Sequence, residues 1–238
     1  MAQAFLALVR ALARKVSRIG ALNGLGQPVL KLVSPGVPDF YQGTELWSLS
    51  LVDPDNRRDV DYATRRRELQ GLEPWLDRAA GHGPLGPEEL QPLLEHWQDG
   101  RIKLLVTAGG LWARRAMPQL FGAGAYVALD TDGRHDDHLI ACARDAGDGG
   151  DAVIAVVPRL AAALERGTGA LGVPADAWDD TYVLLPASLA PGQWRSLITG
   201  AELTPHDVGR GRHGVLVRDL LADCPVAALL RASSATSA

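Results

Sequence analysis

The stretch from Ser34 to Glu68, SPGVPDFYQGTELWSLSLVDPDNRRDVDYATRRRE, limits what this chain can fold into more than any other part of it. Pro35 and Pro38 each fix their own φ and disfavour helix in the residue before them, so the backbone here is extended. Val37, Phe40 and Tyr41 suit a short buried strand over 37–41. Gly43 then permits a sharp turn where a side chain would obstruct it. Beyond the turn come Glu45, Trp47, Asp53, Asp55, Asn56, Arg57, Arg58, Asp59 and Asp61. A strand that ends in a sharp turn and a polar, aromatic loop is the layout of a rim segment on an α/β barrel, where the loops after the strands carry the chemistry.

The flanks fit that reading. Phe5, Leu8, Val9, Leu12, Val16 and Ile19 recur at helical spacing and predict a helix over 4–19 with an apolar stripe meant to pack on something. The first 38 residues hold no Asp or Glu but do hold Arg10, Arg14, Lys15, Arg18 and Lys31. An acid-free, Arg-bearing start also matches an organellar transit peptide, but the stripe is better explained as an ordinary barrel helix. Gly24, Gly26 and Pro28 interrupt the next segment, and Pro28 at a first turn predicts a second, short helix to about Leu32. Helices are predicted over 62–76, with Leu69, Leu72 and Leu76 inward and Arg65, Arg66 and Arg67 on a solvated face. Further helices are expected over 88–97 and 101–117, the last weakened at Gly109 and Gly110 by about 1 kcal/mol each.

Near Phe121-Gly122 the pattern changes. Short apolar runs at 126–129, 139–143, 152–157, 182–185, 215–217 and 226–230 are separated by Gly, Pro and Asp clusters, as in an all-β sandwich. Gly209, Gly211 and Gly214 satisfy GxGxxG without the strand and helix a dinucleotide fold needs, and read as a hairpin turn. The run His135-Asp136-Asp137-His138 reads as an exposed turn rather than a metal site.

The run GVPDFYQGTELW, followed by LVDPDNRR and VDY, resembles the segment around the eighth barrel strand of the maltooligosyltrehalose synthase family, within the α-amylase superfamily. Gly36, Pro38, Tyr41, Gly43 and Glu45 follow the superfamily pattern; Asp53 to Arg58 with Val60-Asp61-Tyr62 is the narrower signature. The resemblance implies an α/β plus all-β architecture: an incomplete C-terminal part of a (β/α)8 barrel over 1–121, then a small antiparallel β-sandwich domain over 122–232 and a tail at 233–238. The activity it implies is intramolecular transglucosylation, (1→4)-α-D-glucan 1-α-D-glucosylmutase, which turns the reducing-end α-1,4 bond of a maltooligosaccharide into an α,α-1,1 bond. No cofactor or metal is implied. The superfamily's catalytic carboxylates lie on earlier barrel strands, and none of their motifs occurs between Met1 and Ser34. The expectation is therefore that this chain carries no catalytic residue, is inactive alone, and has the N-terminal barrel portion as its missing partner.

What remains for it is the rim. Tyr41 and Trp47 could stack on sugar faces, while Asp55, Asn56, Arg57 and Arg58 could hydrogen-bond glucose hydroxyls. The competing reading pairs Arg57 and Arg58 with neighbouring Asp residues to hold the loop. Gly36, Pro38, Gly43 and Glu45 are expected to be structural. A non-catalytic carbohydrate-binding or partner module, or another hydrolase or transferase of the superfamily, are the alternatives. A net charge of -4 offers no basic footprint for nucleic acid, and no apolar run is long enough to span a membrane. Cys142 and Cys224 lie far apart without ligand spacing, which fits two reduced thiols and a cytoplasmic setting.

Overall fold

The computed structural model describes residues 2–50, 57–77, 85–167 and 169–231. Its first element, α1 (Ala2–Val33), is one unbroken helix with Pro28 inside it, not the two helices expected. A proline within a helix costs about 3 kcal/mol. Burial around it offsets that cost: Leu22, Leu25, Val29, Leu32 and Val33 are all at most 4% exposed. The two glycines that suggested a break instead mark close approaches. A Cβ on Gly26 would lie 3.3 Å from Val157, and one on Gly24 would lie 2.9 Å from the Trp47 ring.

Burial stops abruptly towards the N-terminus. Arg18 donates to Glu165 at 2.7 Å and to the carbonyl of Ala170 at 2.8 Å, pinning the helix at its middle. Before that point Phe5, Leu8, Leu12 and Val16 are 60–72% exposed. The apolar stripe is present, and nothing among the described residues covers it.

Helices α2 (Tyr62–Asp77), α3 (Pro87–Glu95), α4 (Arg101–Ala116) and α5 (Pro118–Ala123) come next. Leu72 and Leu76 of α2 are buried as the spacing requires. Gly100, at φ 81°, turns the chain into α4. Gly109 and Gly110 do not loosen α4; they are where it is approached. A Cβ on Gly110 would overlap Leu32 of α1, and one on Gly109 would sit 3.2 Å from the Leu197 carbonyl.

All six expected strand runs form, within ten strands: β1 (Ala125–Ala128), β2 (Thr131–Asp132), β3 (Leu139–Asp145), β4 (Ala152–Pro158), β5 (Tyr182–Leu185), β6 (Trp194–Ser196), β7 (Glu202–Leu203), β8 (His206–Asp207), β9 (His213–Leu216) and β10 (Ala227–Arg231). They make a six-stranded sheet ordered β1-β3-β4-β10-β6-β7 and a four-stranded sheet ordered β2-β5-β9-β8. Every ladder among the described residues is antiparallel. β4 is buried at every position because α1 covers the side that carries Val157. One apolar core runs from Leu25 and Ile102 in the helices to Val156 and Leu229 in the sheet.

The expected barrel strand over 37–41 is not a strand. Val37 is 97% exposed. A strand needs a neighbour to take its N–H and C=O groups, and no ladder among the described residues reaches this segment. The GxGxxG glycines do lie at a hairpin: Gly209 and Gly211 have φ 92° and 68° between β8 and β9, and Gly214 is in β9. His135 to His138 form a short 3-10 turn, and no group of potential metal ligands occurs among the described residues.

Candidate functional site

The segment from Gly36 to Leu46 has no sheet to satisfy its carbonyls, and cationic side chains from three helices do so instead. Arg114 of α4 donates to the carbonyls of Leu32 (2.5 Å) and Gly36 (3.1 Å). Lys31 of α1 donates to Asp39 O at 2.7 Å and lies 4.6 Å over the Phe40 ring. Arg65 of α2 donates to Gly43 O at 2.6 Å. Lys103 of α4 donates to Leu46 O at 3.2 Å. Charge-assisted bonds of this kind are stronger than neutral ones, so the rim is held along its length although it is not regular.

Its turn is local. Gly43 adopts φ 87°, and Tyr41 O accepts from both the Thr44 N–H (3.1 Å) and the Thr44 hydroxyl (2.6 Å). A side chain at Gly43 would also meet Val60, 3.2 Å away. Beside this turn the Arg65 guanidinium donates to Glu45 Oε2 at 2.9 Å and to Asp61 O at 3.1 Å. Arg65 therefore does not belong to the solvated helix face predicted for it; only 18% of its side chain is exposed. Asp61 opens α2 by accepting from the Thr64 N–H at 2.9 Å. Hydrogen bonds from Thr64, ahead of the charges of Arg67 and Arg65, hold its carboxyl below the usual carboxylate range.

Trp47 closes the segment against the helices. Its indole N–H donates to the Trp97 carbonyl, and its ring packs on the Gly24 surface of α1. Lys103 Nζ stands 5.4 Å from the centre of the same ring. Burial, reinforced by the nearby charge of Lys31, lowers the Lys103 pKa, while Glu45 acts in the opposite direction.

Of the sequence-predicted residues, Tyr41 is 50% exposed on the turn. Trp47 is half-buried, with its N–H used and its ring in contact. Arg57 and Arg58 are exposed at the start of the described residues leading into α2. Asp55 and Asn56, with Asp53, lie outside the described residues. Gly36 takes φ 94°, and Pro38 is half-buried between the Gly36 and Asp39 carbonyls that Arg114 and Lys31 hold. Glu45 and Asp61 are occupied by Arg65 and Thr64. Chemically the described part of the segment offers the half-exposed Tyr41 ring on a turn whose backbone is held by cations.

Sequence reasoning missed the four cations that latch the segment. Their signal was present: Lys31 and Lys103 are two of only three lysines in a chain with 21 arginines. Placing them against specific carbonyls required the helix packing.

No protein-family model matches the chain. Over 209 residues, 88% of its length, it is 34% identical to a protein of Mycobacterium tuberculosis described as a maltooligosyl trehalose synthase, and it spans 20% of that protein. The solved maltooligosyltrehalose synthase of Arthrobacter ramosus is 33% identical and superposes with a TM-score of 0.66, covering 94% of this chain and 24% of that one. A further solved maltooligosyl trehalose synthase, 24% identical, shares the fold at a TM-score of 0.60 over 96% of this chain.

Proposed function

Because this chain corresponds in sequence and in fold to a part of maltooligosyl trehalose synthase, we propose that it serves as the C-terminal portion of such an enzyme. In this reading residues 1–121 derive from the catalytic barrel and 122–232 form a β domain. The reaction is the intramolecular transfer that converts the reducing-end α-1,4 bond of a maltooligosaccharide into an α,α-1,1 bond. The catalytic carboxylates and the remaining barrel come from polypeptide that pairs with the exposed face of α1. A cytoplasmic setting belongs to the same reading. No helix among the described residues is long and apolar enough to cross a membrane.

The observation that carries the reading is the rim itself. Its backbone is latched at Gly36, Asp39, Gly43 and Leu46 while the Tyr41 ring is left half-exposed. A face held in this way can grip a glucosyl unit so that its anomeric hydroxyl attacks before water does, and such positioning supplies much of a barrier reduction. In the same reading Arg57 and Arg58, with Asp55 and Asn56, are assigned to the glucose hydroxyls.

Two measurements on the chain test this. Incubation with maltopentaose is expected to leave the reducing ends intact, and titration with the same saccharide to give saturable binding that Tyr41→Ala weakens. Turnover by the chain alone would overturn the assignment of the carboxylates to other polypeptide. Binding indifferent to Tyr41→Ala would overturn the rim as the saccharide face.

A further inference from the structure

Arg65 touches both flanks of the rim loop. From α2 its guanidinium reaches Gly43 O (2.6 Å) and Glu45 Oε2 (2.9 Å) on the near flank and Asp61 O (3.1 Å) on the far flank. The flanks also meet directly, Val60 lying against Gly43 and the Tyr62 hydroxyl 3.4 Å from Gln42 Oε1. Each of these bonds uses a different direction of a planar fork, which a lysine ammonium cannot reproduce.

We infer that Arg65 is a positioning residue: it clasps the 43–45 turn to the 60–61 end of the loop and so fixes Tyr41 and Arg58 relative to each other. That these two residues face saccharide rests on the function proposed above. The clasp itself rests only on the three bonds. Tyr41 is tied to the near flank because its carbonyl closes the turn through Thr44. Arg58 lies two residues before Val60 on the far flank. Without the fork, the first turn of α2 still carries the far flank, capped at Asp61 by Thr64, while the near flank loses its tie to it.

The test uses the full chain with nitroxide labels at Ser48→Cys and Asp59→Cys, both exposed, in wild-type, Arg65→Met and Arg65→Lys backgrounds. The inter-label distance distribution is expected to be narrow in the wild type and broad in Arg65→Met. Arg65→Lys keeps the charge and loses the fork, so it should resemble Arg65→Met rather than the wild type. In unlabelled protein, maltopentaose affinity should fall on the order of tenfold in both variants, equivalent to about 1.4 kcal/mol. An unchanged distance distribution in Arg65→Met overturns the clasp whatever the saccharide does. A broadened distribution with unchanged affinity overturns the positioning role. Absence of saccharide binding by the wild type counts against the functional reading alone, and the clasp is then decided by the distances.

Discussion

The indole N–H of Trp47 donates to the Trp97 carbonyl at 2.5 Å, and the two rings meet edge to face with centroids 6.2 Å apart and planes 81° apart. Trp47 ends the rim segment and Trp97 lies between α3 and α4, so the pair joins the irregular part of the chain to its helical layer. Trp47→Ala removes a half-buried ring together with its hydrogen bond. It should cost about 2–3 kcal/mol, somewhat below the range for a fully buried tryptophan. Trp47→Phe retains most of the packing and loses the donor, for about 1 kcal/mol. Urea unfolding followed by far-UV circular dichroism measures both, and a Trp47→Ala midpoint equal to that of the wild type would show that the ring is not an anchor.

Glycine in a helix has opposite consequences at Gly110 and Gly71. At Gly110 an added Cβ overlaps Leu32, which is itself only 4% exposed. Overpacking of this kind costs about 1–3 kcal/mol, more than the roughly 1 kcal/mol of helix propensity that alanine returns. At Gly71 in α2 nothing lies within 4 Å of the added atom, so Gly71→Ala should stabilise by up to about 1 kcal/mol. Thermal melts of the two variants are expected to move in opposite directions, and a stabilised Gly110→Ala would contradict the contact between α1 and α4.

What the sequence made legible and what it hid divide along physical lines. β3, β4, β5, β9 and β10 were readable because their apolar runs are bounded by Gly, Pro and Asp and are satisfied by neighbours within the chain. Two-residue strands such as β7 and β8 carry no periodicity to read. The segment around Val37 has strand-like residues, yet local propensity cannot supply a missing ladder, and cations hold it instead. Pro28 and the glycines near it suggested a break because the penalty is local, whereas the burial that outweighs it comes from β4 and α4. In the rim, Tyr41 and Glu45 were visible as residue types. That Glu45 is engaged by Arg65, and Trp47 by Trp97, depends on contacts 20 and 50 residues away in sequence.

Cys224 makes stability depend on alkaline pH. Burial pushes its thiol up to about 12, from an ordinary value near 9.0. Between those values the folded chain keeps the proton that the unfolded chain releases, so unfolding is favoured as pH rises. The stabilising contribution is whole below pH 9.0 and is lost on the way to about 12, at roughly 1.4 kcal/mol per pH unit while the difference persists. Cys224→Ala should flatten this part of the stability profile relative to the wild type. Urea titrations at intervals from pH 8 upward measure it, and parallel profiles for the two proteins would rule out a buried thiol.

The two halves of α1 differ in what they touch. Residues beyond Arg18 pack on β4 and α4, and the preceding turns carry Phe5, Leu8, Leu12 and Val16 to solvent. A projecting helix of that length is marginal in water, and with no Asp or Glu before Asp39 it has no acidic partner for Arg10, Arg14 or Lys15 at helical spacing. Hydrogen exchange should therefore be fast over residues 2–16 and slow over 21–33 in dilute protein. The same stripe is an apolar face of the kind that drives association, so sedimentation should reveal self-association that grows with concentration. Replacing Leu8 and Leu12 with Gln should reduce that association while leaving exchange over 21–33 unchanged. A wild-type chain that stays monomeric at high concentration, with uniform protection across α1, would mean that the stripe is covered from within the chain.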